Sequence, residues 1–135
     1  MFLPKLLPGK HLTPNGPEKR VPANVAADKR QMRSDVALGL LEFRDVVDLS
    51  QPFEYAHVYM ELRWHRRVRG RSVYLPEDPN NAAYALKPAV DGLVDARLLP
   101  DDSYRHVAVM SAAVRRVDSF EEEGLGIVIT EWEED

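Results

Sequence analysis

The sequence predicts an α+β fold, with a small mixed or antiparallel sheet packed with two main helices. Two observations lead to this prediction. The chain has 135 residues, a length that fits one compact domain spanning 1–135. Stretches with helical and with strand-like hydrophobic spacing follow one another along it. The predicted order is arm, helix, strand, basic loop, helix, strand, strand.

Residues 1–24 are predicted to form an extended arm, with a short strand at Phe2-Leu3. Proline fixes φ and lacks an N–H, so a segment rich in proline forms neither a long helix nor a central strand. The arm contains five prolines: Pro4, Pro8, Pro14, Pro17 and Pro22.

The first helix is predicted over residues 23–47, because apolar side chains recur there at helical spacing. These side chains are Val36, Leu40, Phe43 and Val47. Asn24 and Ser34 are the candidate capping residues at its start. Asp48, Ser50 and Pro52 are expected to end the run.

A strand is predicted at "FEYAHVYMEL", residues 53–62, where an aromatic and a mostly apolar set alternate. This pattern is typical of a strand packed on both faces, and His57 within it reads as a packed histidine. The stretch "RWHRRVRGR" follows and is expected to form a basic loop. Trp64 at its start either stacks on a nucleic-acid base or covers the sheet edge.

The second helix is predicted to begin at Pro79, with Asp78 as its N-cap. Lys87, Asp91 and Asp95 form one polar stripe on it, and Pro88 is expected to kink it or to mark where its regular part begins. Residues 104–117 and 124–134 then predict two strands rich in valine and isoleucine, joined by the loop 118–124.

Charge is distributed unevenly along the chain. Residues 1–75 carry 13 Lys/Arg and 8 Asp/Glu (+5), and residues 76–135 carry 5 and 14 (−9), which together give the net charge of −4. The sequence contains no cysteine, which excludes disulfides, thiolate catalysis and cysteine zinc sites and favours a cytoplasmic setting. No apolar stretch approaches membrane-spanning length, and the first residues have the wrong order for a signal peptide.

Each polar feature taken alone has an ordinary structural explanation. Asp78 is typical of a helix cap, Asp101-Asp102 of a turn, and the arginines of a solvated loop. Taken together they permit another interpretation. Magnesium binds one or two carboxylates together with water and phosphate oxygens, and arginines clamp a phosphate backbone. Carboxylates in the acidic half and arginines just upstream would supply both parts of a metal-dependent nuclease.

The segment from about Gln51 onward resembles the RusA-like Holliday-junction resolvase family. That family carries Asp-x-Asp-Asn at a helix start, then a lysine, an Asp-Ala-Leu-like or Asp-Gly-Leu turn, and an Asp-Asp pair before a strand. This chain has "DPNN" at 78–81, Lys87, "DGL" at 91–93 and "LLPDD" ending at Asp102. The last strand, "LGIVITEWEED", resembles the family's ending.

The resemblance implies a homodimeric, magnesium-dependent endonuclease that acts on branched DNA in recombination and repair, with manganese as an alternative ion and no organic cofactor or membrane contact. It implies a bacterial or phage origin. The implied catalytic residues are Asp78, Lys87 and Asp102, and the implied metal ligands are Asp78, Asn80, Asp102 and Asp101. Asn81 and Asp91 would support them. The implied DNA-binding residues are Arg63, Arg66, Arg67, Arg69 and Arg71.

Two departures from the family pattern bear on activity. Asn80 replaces the second acid of the first motif, which removes one negative charge from the ion site. The alternative function is therefore a DNA-binding dimer without catalysis. Lys87 lies about three residues further from that motif, which is nearly one helical turn and keeps it close to the same face.

Helix geometry makes it difficult for Asp78 and Asp102 of one chain to share an ion. A helix over 79–96 would be about 27 Å long. Residues 97–101, fully extended, can lead the chain back by at most about 17 Å, so Asp78 and Asp102 would stay roughly 10 Å apart. Either the helix breaks near Pro88, or Asp78 of one copy meets Asp101-Asp102 of another.

Overall fold

The computed structural model of the protein describes residues 1–8, 12, 21–43, 53–65 and 79–132. Within these residues four strands form one mixed sheet that packs with two helices, which confirms the predicted α+β class. The strands are β1 (Phe2–Pro4), β2 (Ala56–Trp64), β3 (Val107–Arg116) and β4 (Gly124–Glu131), and the helices are α1 (Pro22–Gly39) and α2 (Pro79–Asp95). Short 3₁₀ turns occupy Leu40–Phe43 and Phe120–Glu122.

The start of α1 differs from the prediction in its cap. The helix begins at Pro22, and Val21 occupies the cap position without a side-chain hydrogen bond. Asn24 and Ser34 both lie inside the helix, so their prediction as caps was wrong. Proline at the first helical position has its φ already set for a helix and gives up an N–H that would have no helical partner there. The helix ends at Gly39, so the predicted end at 47 was wrong, and a 3₁₀ turn follows over Leu40–Phe43. Residues 44–52 lie outside the described residues.

The strand order is β1-β4-β2-β3. β2 pairs in parallel with β3 and antiparallel with β4, and β1 pairs antiparallel with β4. The predicted strand at Phe2-Leu3 is therefore confirmed, and so is the mixed form of the sheet. α2 connects the parallel strands β2 and β3, as a crossover between such strands requires.

The core lies on one face of the sheet, under the helices. Alternate residues of β2 are fully buried there: Ala56, Val58, Met60 and Leu62. They join Met32 and Val36 of α1 and Leu86 and Leu93 of α2 in a single cluster. The opposite face of β2 carries His57, Tyr59, Glu61 and Arg63, which are only half-buried. The predicted packing on both faces is thus complete on one face and partial on the other, among the described residues.

The second helix is continuous. It begins at Pro79 as predicted and runs through a buried Pro88 to Asp95, so the expected break at Pro88 is wrong. Gly92 sets the distance between the helices, because a Cβ there would lie 2.8 Å from the Arg33 carbonyl oxygen and from Val36 Cβ. No helix in the described part of the chain is long and apolar enough to cross a membrane.

Candidate functional site

The chain reverses immediately after α2, and this reversal builds the candidate site. Arg97 has φ of 64°, the left-handed conformation that commonly ends helices. The Leu98 N–H donates to the Leu93 carbonyl and the Arg97 N–H to the Val94 carbonyl, both at 3.0 Å. These two bonds form a Schellman motif, and its buried leucines, Leu93 and Leu98, anchor it in the core. The segment that follows is thereby turned back along α2.

The reversal brings Asp102 beside Asp91 of the same chain. Burial raises the pKa of Asp91, and the negative charge of Asp102 raises it further. Asp91 is half-buried and Asp102 is exposed, so the pair opens to solvent. Both residues belong to the predicted site, Asp102 as a metal ligand and Asp91 as a supporting acid.

Two cations act on the carboxylate pair. Lys87 lies one helical turn before Asp91 on α2, and its charge opposes the rise in the pKa of Asp91. Arg33 of α1 acts in the same direction. Lys87 and Asp102, two of the predicted catalytic residues, thus both act on Asp91, which was predicted as a supporting residue.

Sequence reasoning missed Arg33 and the residue that holds it. The Arg33 guanidinium donates from Nε to Asp95 Oδ2 at 2.6 Å and from Nη2 to Asp95 Oδ1 at 2.7 Å. This bond lowers the pKa of Asp95 and raises that of Arg33. Asp95 belongs to the predicted polar stripe, which was the available signal. Its partner lies 62 positions away, and no spacing rule reaches that far.

Asp101 has the turn role that its sequence context also allowed. Its Oδ1 accepts a hydrogen bond from the Ser103 N–H at 2.8 Å, and the contacts to Ser103 lower the pKa of Asp101. Its Oδ2 lies 3.8 Å from Nε2 of His106, which contacts the Glu54 carbonyl through Nδ1. One oxygen of Asp101 is thus used in fixing the turn that presents Asp102. Its metal role stays a prediction.

The residues of the first motif lie at the opposite end of α2. Asn80 is exposed and Asn81 half-buried in the first helical turn, and Asp78 lies outside the described residues. Pro79 and Asp91 are separated by twelve residues, or about 18 Å along a helix axis. The structure therefore does not bring Asn80 or Asn81 to the Asp91–Asp102 pair within one chain.

The donor set fits a hydrated magnesium ion. Within residues 1–8, 12, 21–43, 53–65 and 79–132, no group of three or more His, Cys, Asp or Glu side chains is arranged to hold a metal. Two adjacent carboxylates are present, and magnesium commonly uses one or two, with water and phosphate oxygens completing its shell. Asp91 and Asp102 are the described residues that would hold it.

The predicted DNA-binding arginines fall partly outside the described residues. Arg66, Arg67, Arg69 and Arg71 lie in the segment 66–78 and are not described. Arg63 donates from Nε to Glu61 Oε1 at 2.7 Å, and its Cζ lies 4.9 Å from the Phe2 ring centroid. Its guanidinium is therefore held against the open sheet face by two contacts of its own chain.

Comparison of the chain with protein-family models, with curated proteins and with solved structures finds no match in any of the three.

Replacing Asp91 with asparagine is expected to stabilise the fold at neutral pH. The raised pKa means that the folded state holds a proton on Asp91 more tightly than the unfolded chain does. The resulting stability is fully present below the unfolded value of about 3.9 and is lost as pH rises through the folded value. Asp91→Asn should therefore melt above the parent at about pH 7, and the difference should vanish near pH 3.

Thermal melts in a chelating buffer at several pH values test this expectation. Asp118→Asn, which removes one carboxylate from an exposed loop position, is the matched control for net charge. An Asp91→Asn variant that is destabilised equally at both pH values would show that the Asp91 side chain stabilises the fold rather than destabilising it.

Proposed function

We propose that the protein is a homodimeric, magnesium-dependent endonuclease that resolves Holliday junctions and other branched DNA in recombination and repair. The observation that carries the proposal is the pairing of Asp91 with Asp102 beside Lys87. These three residues belong to three separate motifs of the RusA-like pattern. Two carboxylates held together repel each other, and this repulsion opposes folding. A carboxyl group whose pKa is raised by burial and by a neighbouring like charge is typical of functional sites.

The residues of the site have distinct roles in phosphodiester hydrolysis. Asp91 and Asp102 would hold a magnesium ion, which would stabilise the charge on the scissile phosphate and lower the pKa of coordinated water. The hydrogen bond from the Ser103 N–H to Asp101 fixes the turn that carries Asp102. Lys87 places a positive charge where negative charge develops on the phosphate. Arg66, Arg67, Arg69 and Arg71 bind the DNA backbone.

A homodimer explains how the first motif takes part. Asp78 directly precedes Pro79, and the helix start is about 18 Å from Asp91 along the axis. Two antiparallel α2 helices related by a twofold axis would bring Asp78 and Asn80 of one copy to Asp91 and Asp102 of the other. The same symmetry supplies the two cuts that a four-way junction needs.

The deciding experiment is a cleavage assay on a synthetic four-way junction with purified protein. Paired nicks are expected with magnesium and none with a chelator. A linear duplex of the same sequence serves as the control for selectivity. Failure of the parent to bind junction DNA at low salt would indicate a domain whose acids act only as caps and turns.

The second candidate function is a DNA-binding dimer without catalysis, and Asn80 is the observation that favours it. Its side chain is exposed in the first turn of α2 and carries no charge. Asn80→Asp is expected to tighten magnesium binding by about tenfold, or about 1.4 kcal/mol, because each added anionic ligand strengthens a divalent site. Magnesium titration by calorimetry measures the change.

Cleavage by the same variant separates the two functions. A parent that cuts junctions measurably excludes the binding-only function. A silent parent whose cleavage appears only with Asn80→Asp supports it. Asn81→Asp, one residue along the same turn, controls for a general effect of negative charge at the helix start.

A further inference from the structure

The guanidinium of Arg33 has one edge in use and one edge without an acceptor in the described part of the chain. Asp95 occupies the edge formed by Nε and Nη2, at 2.6 and 2.7 Å. The other edge, formed by Nη1 and Nη2, bonds to no described residue. The Arg33 side chain is 51% accessible to solvent. A planar guanidinium held by one carboxylate can donate two parallel hydrogen bonds to a second acceptor, and phosphate has the matching geometry.

Close packing of the two helices places Arg33 beside the carboxylate pair. A Cβ at Gly92 would lie 2.8 Å from the Arg33 carbonyl oxygen, so glycine is what lets α1 approach α2 at this point. Asp95 follows Asp91 by four residues on the same face of α2, about 6 Å further along the axis. Because Arg33 is bonded to Asp95, its guanidinium lies about one helical turn beyond Asp91. The pKa shifts agree, since Asp91 and Asp102 raise the pKa of Arg33.

Lys87 and Arg33 lie on either side of Asp91 along α2. Lys87 precedes Asp91 by four residues, toward the start of the helix, and Arg33 lies toward its end. The proposed ion at Asp91 and Asp102 would thus have a cation on each side. Lys87 is assigned to the phosphate that is cut. A strand that follows α2 across the ion would bring its next phosphate toward Arg33.

The residues of this site carry no positive excess by themselves. The charged groups with the largest effects on Arg33 and Asp91 are the carboxylates of Asp91, Asp95 and Asp102 and the cations Lys87 and Arg33. Three negative and two positive charges sum to −1. A bound divalent ion changes this sum to +1. Arg33 is therefore expected to attract a phosphate only while the ion is bound, because the carboxylates repel it otherwise.

We propose that Arg33, oriented by Asp95, binds the DNA phosphate next to the one that is cut while the ion occupies the Asp91–Asp102 pair. The inference rests on the proposed function, which supplies the DNA and the ion. The contact goes to a phosphate, so it does not depend on base sequence. It is made in the bound substrate as well as in the transition state, so its loss should weaken binding and leave the chemical step nearly unchanged.

The test measures the affinity of the protein for a four-way junction against salt concentration, in calcium and in a chelator. Calcium takes the same oxygen ligands as magnesium but is the weaker Lewis acid, so binding is measured without turnover. In calcium, Arg33→Gln is expected to bind about tenfold more weakly than the parent, and the slope of log affinity against log salt should fall by about 0.9. In the chelator, Arg33→Gln should bind no more weakly than Arg30→Gln.

Arg30→Gln is the matched control, because Arg30 is an exposed arginine one turn earlier on α1 and the change in net charge is the same. Arg33→Gln should also cleave at close to the parental rate in magnesium with saturating protein. An ion pair that only joins α1 to α2 would affect the melting temperature, but neither the salt slope nor its dependence on the ion. Exposed ion pairs contribute little to stability, so each variant should fold, and thermal melts check this.

Asp95→Asn separates orientation from charge. Removing one negative charge from the site would by itself tighten DNA binding. Asparagine, however, accepts only one of the two bonds from Arg33 and no longer fixes the guanidinium. The variant is therefore expected to bind the junction more weakly than the parent in calcium.

Each of three results would overturn the inference and leave the proposed function standing. They are an Arg33→Gln variant that matches Arg30→Gln in calcium, an equal loss of affinity in calcium and in the chelator, and tighter binding by Asp95→Asn. A parent that fails to bind the junction would overturn both the inference and the proposed function.

Discussion

Replacing Asp102 with asparagine is expected to reduce magnesium-dependent cleavage of a four-way junction by at least about a hundredfold, or about 2.7 kcal/mol. Asp102 is the exposed member of the Asp91–Asp102 pair, and its charge acts on Asp91. Asparagine keeps its size but removes the charge that a divalent ion requires. Single-turnover cleavage with saturating protein measures the loss apart from binding.

The fold should survive this change, which makes the result interpretable. Asp102 lies in an exposed turn after α2 and contributes nothing to the core. Its removal also takes away a charge that raises the pKa of Asp91, so the melting temperature at neutral pH should not fall. Junction binding in a chelator should stay at least as tight, since one repulsive charge is gone.

The neighbouring acid provides a close comparison. Asp101→Asn removes one charge from the adjacent position but keeps an oxygen for the Ser103 N–H, so a smaller loss of cleavage is expected. Asp118→Asn, in the loop between β3 and β4, should cleave as the parent does. Equal cleavage by Asp102→Asn and the parent would remove Asp102 from the mechanism.

Mixing two inactive variants is expected to restore cleavage if two copies share each site. Asp78→Asn chains and Asp102→Asn chains should each be inactive alone. In a heterodimer, one site then receives both substitutions and the other receives neither. With random pairing half of the dimers are mixed and each has one intact site, so about a quarter of parental activity is expected.

The product of the mixed dimer is as informative as its rate. One intact site per dimer gives single nicks in the junction, whereas the parent gives two symmetric cuts. Co-expression with two affinity tags isolates the heterodimer and raises its expected activity to about half that of the parent. A purified heterodimer no more active than either variant alone would show that the site is not divided between copies.

The carboxylate pair supplies a control for the same experiment. Asp91 and Asp102 come together within one chain. A heterodimer of Asp91→Asn and Asp102→Asn chains therefore has one damaged pair in each copy, and it should stay inactive. Recovery in this control as well would mean that Asp91 and Asp102 act from different copies or that the variants are only weakly impaired.

The sequence by itself determined the kind and the order of the elements, but not the end of α1, which lies at Gly39 and not at 47. The alternating pattern predicted β2, because successive side chains of a strand point to opposite faces of the sheet. The apolar set Ala56, Val58, Met60 and Leu62 therefore lies on one face, where it is buried. Asp78-Pro79 predicted the start of α2, since proline suits the first helical position. At the start of α1 two signals competed, Pro22 as a first helical residue and Asn24 as a cap, and the helix begins at Pro22. In α2 the helix continues through Pro88.

Only the tertiary structure decided which of the predicted residues meet. The left-handed turn at Arg97 returns the chain so that Asp102 lies beside Asp91 and not beside Asn80. Arg33 and Asp95 are joined by the crossing of two helices, and Arg116 and Trp64 by parallel strand pairing. These contacts depend on how whole elements pack, which the periodicity of any single segment does not contain.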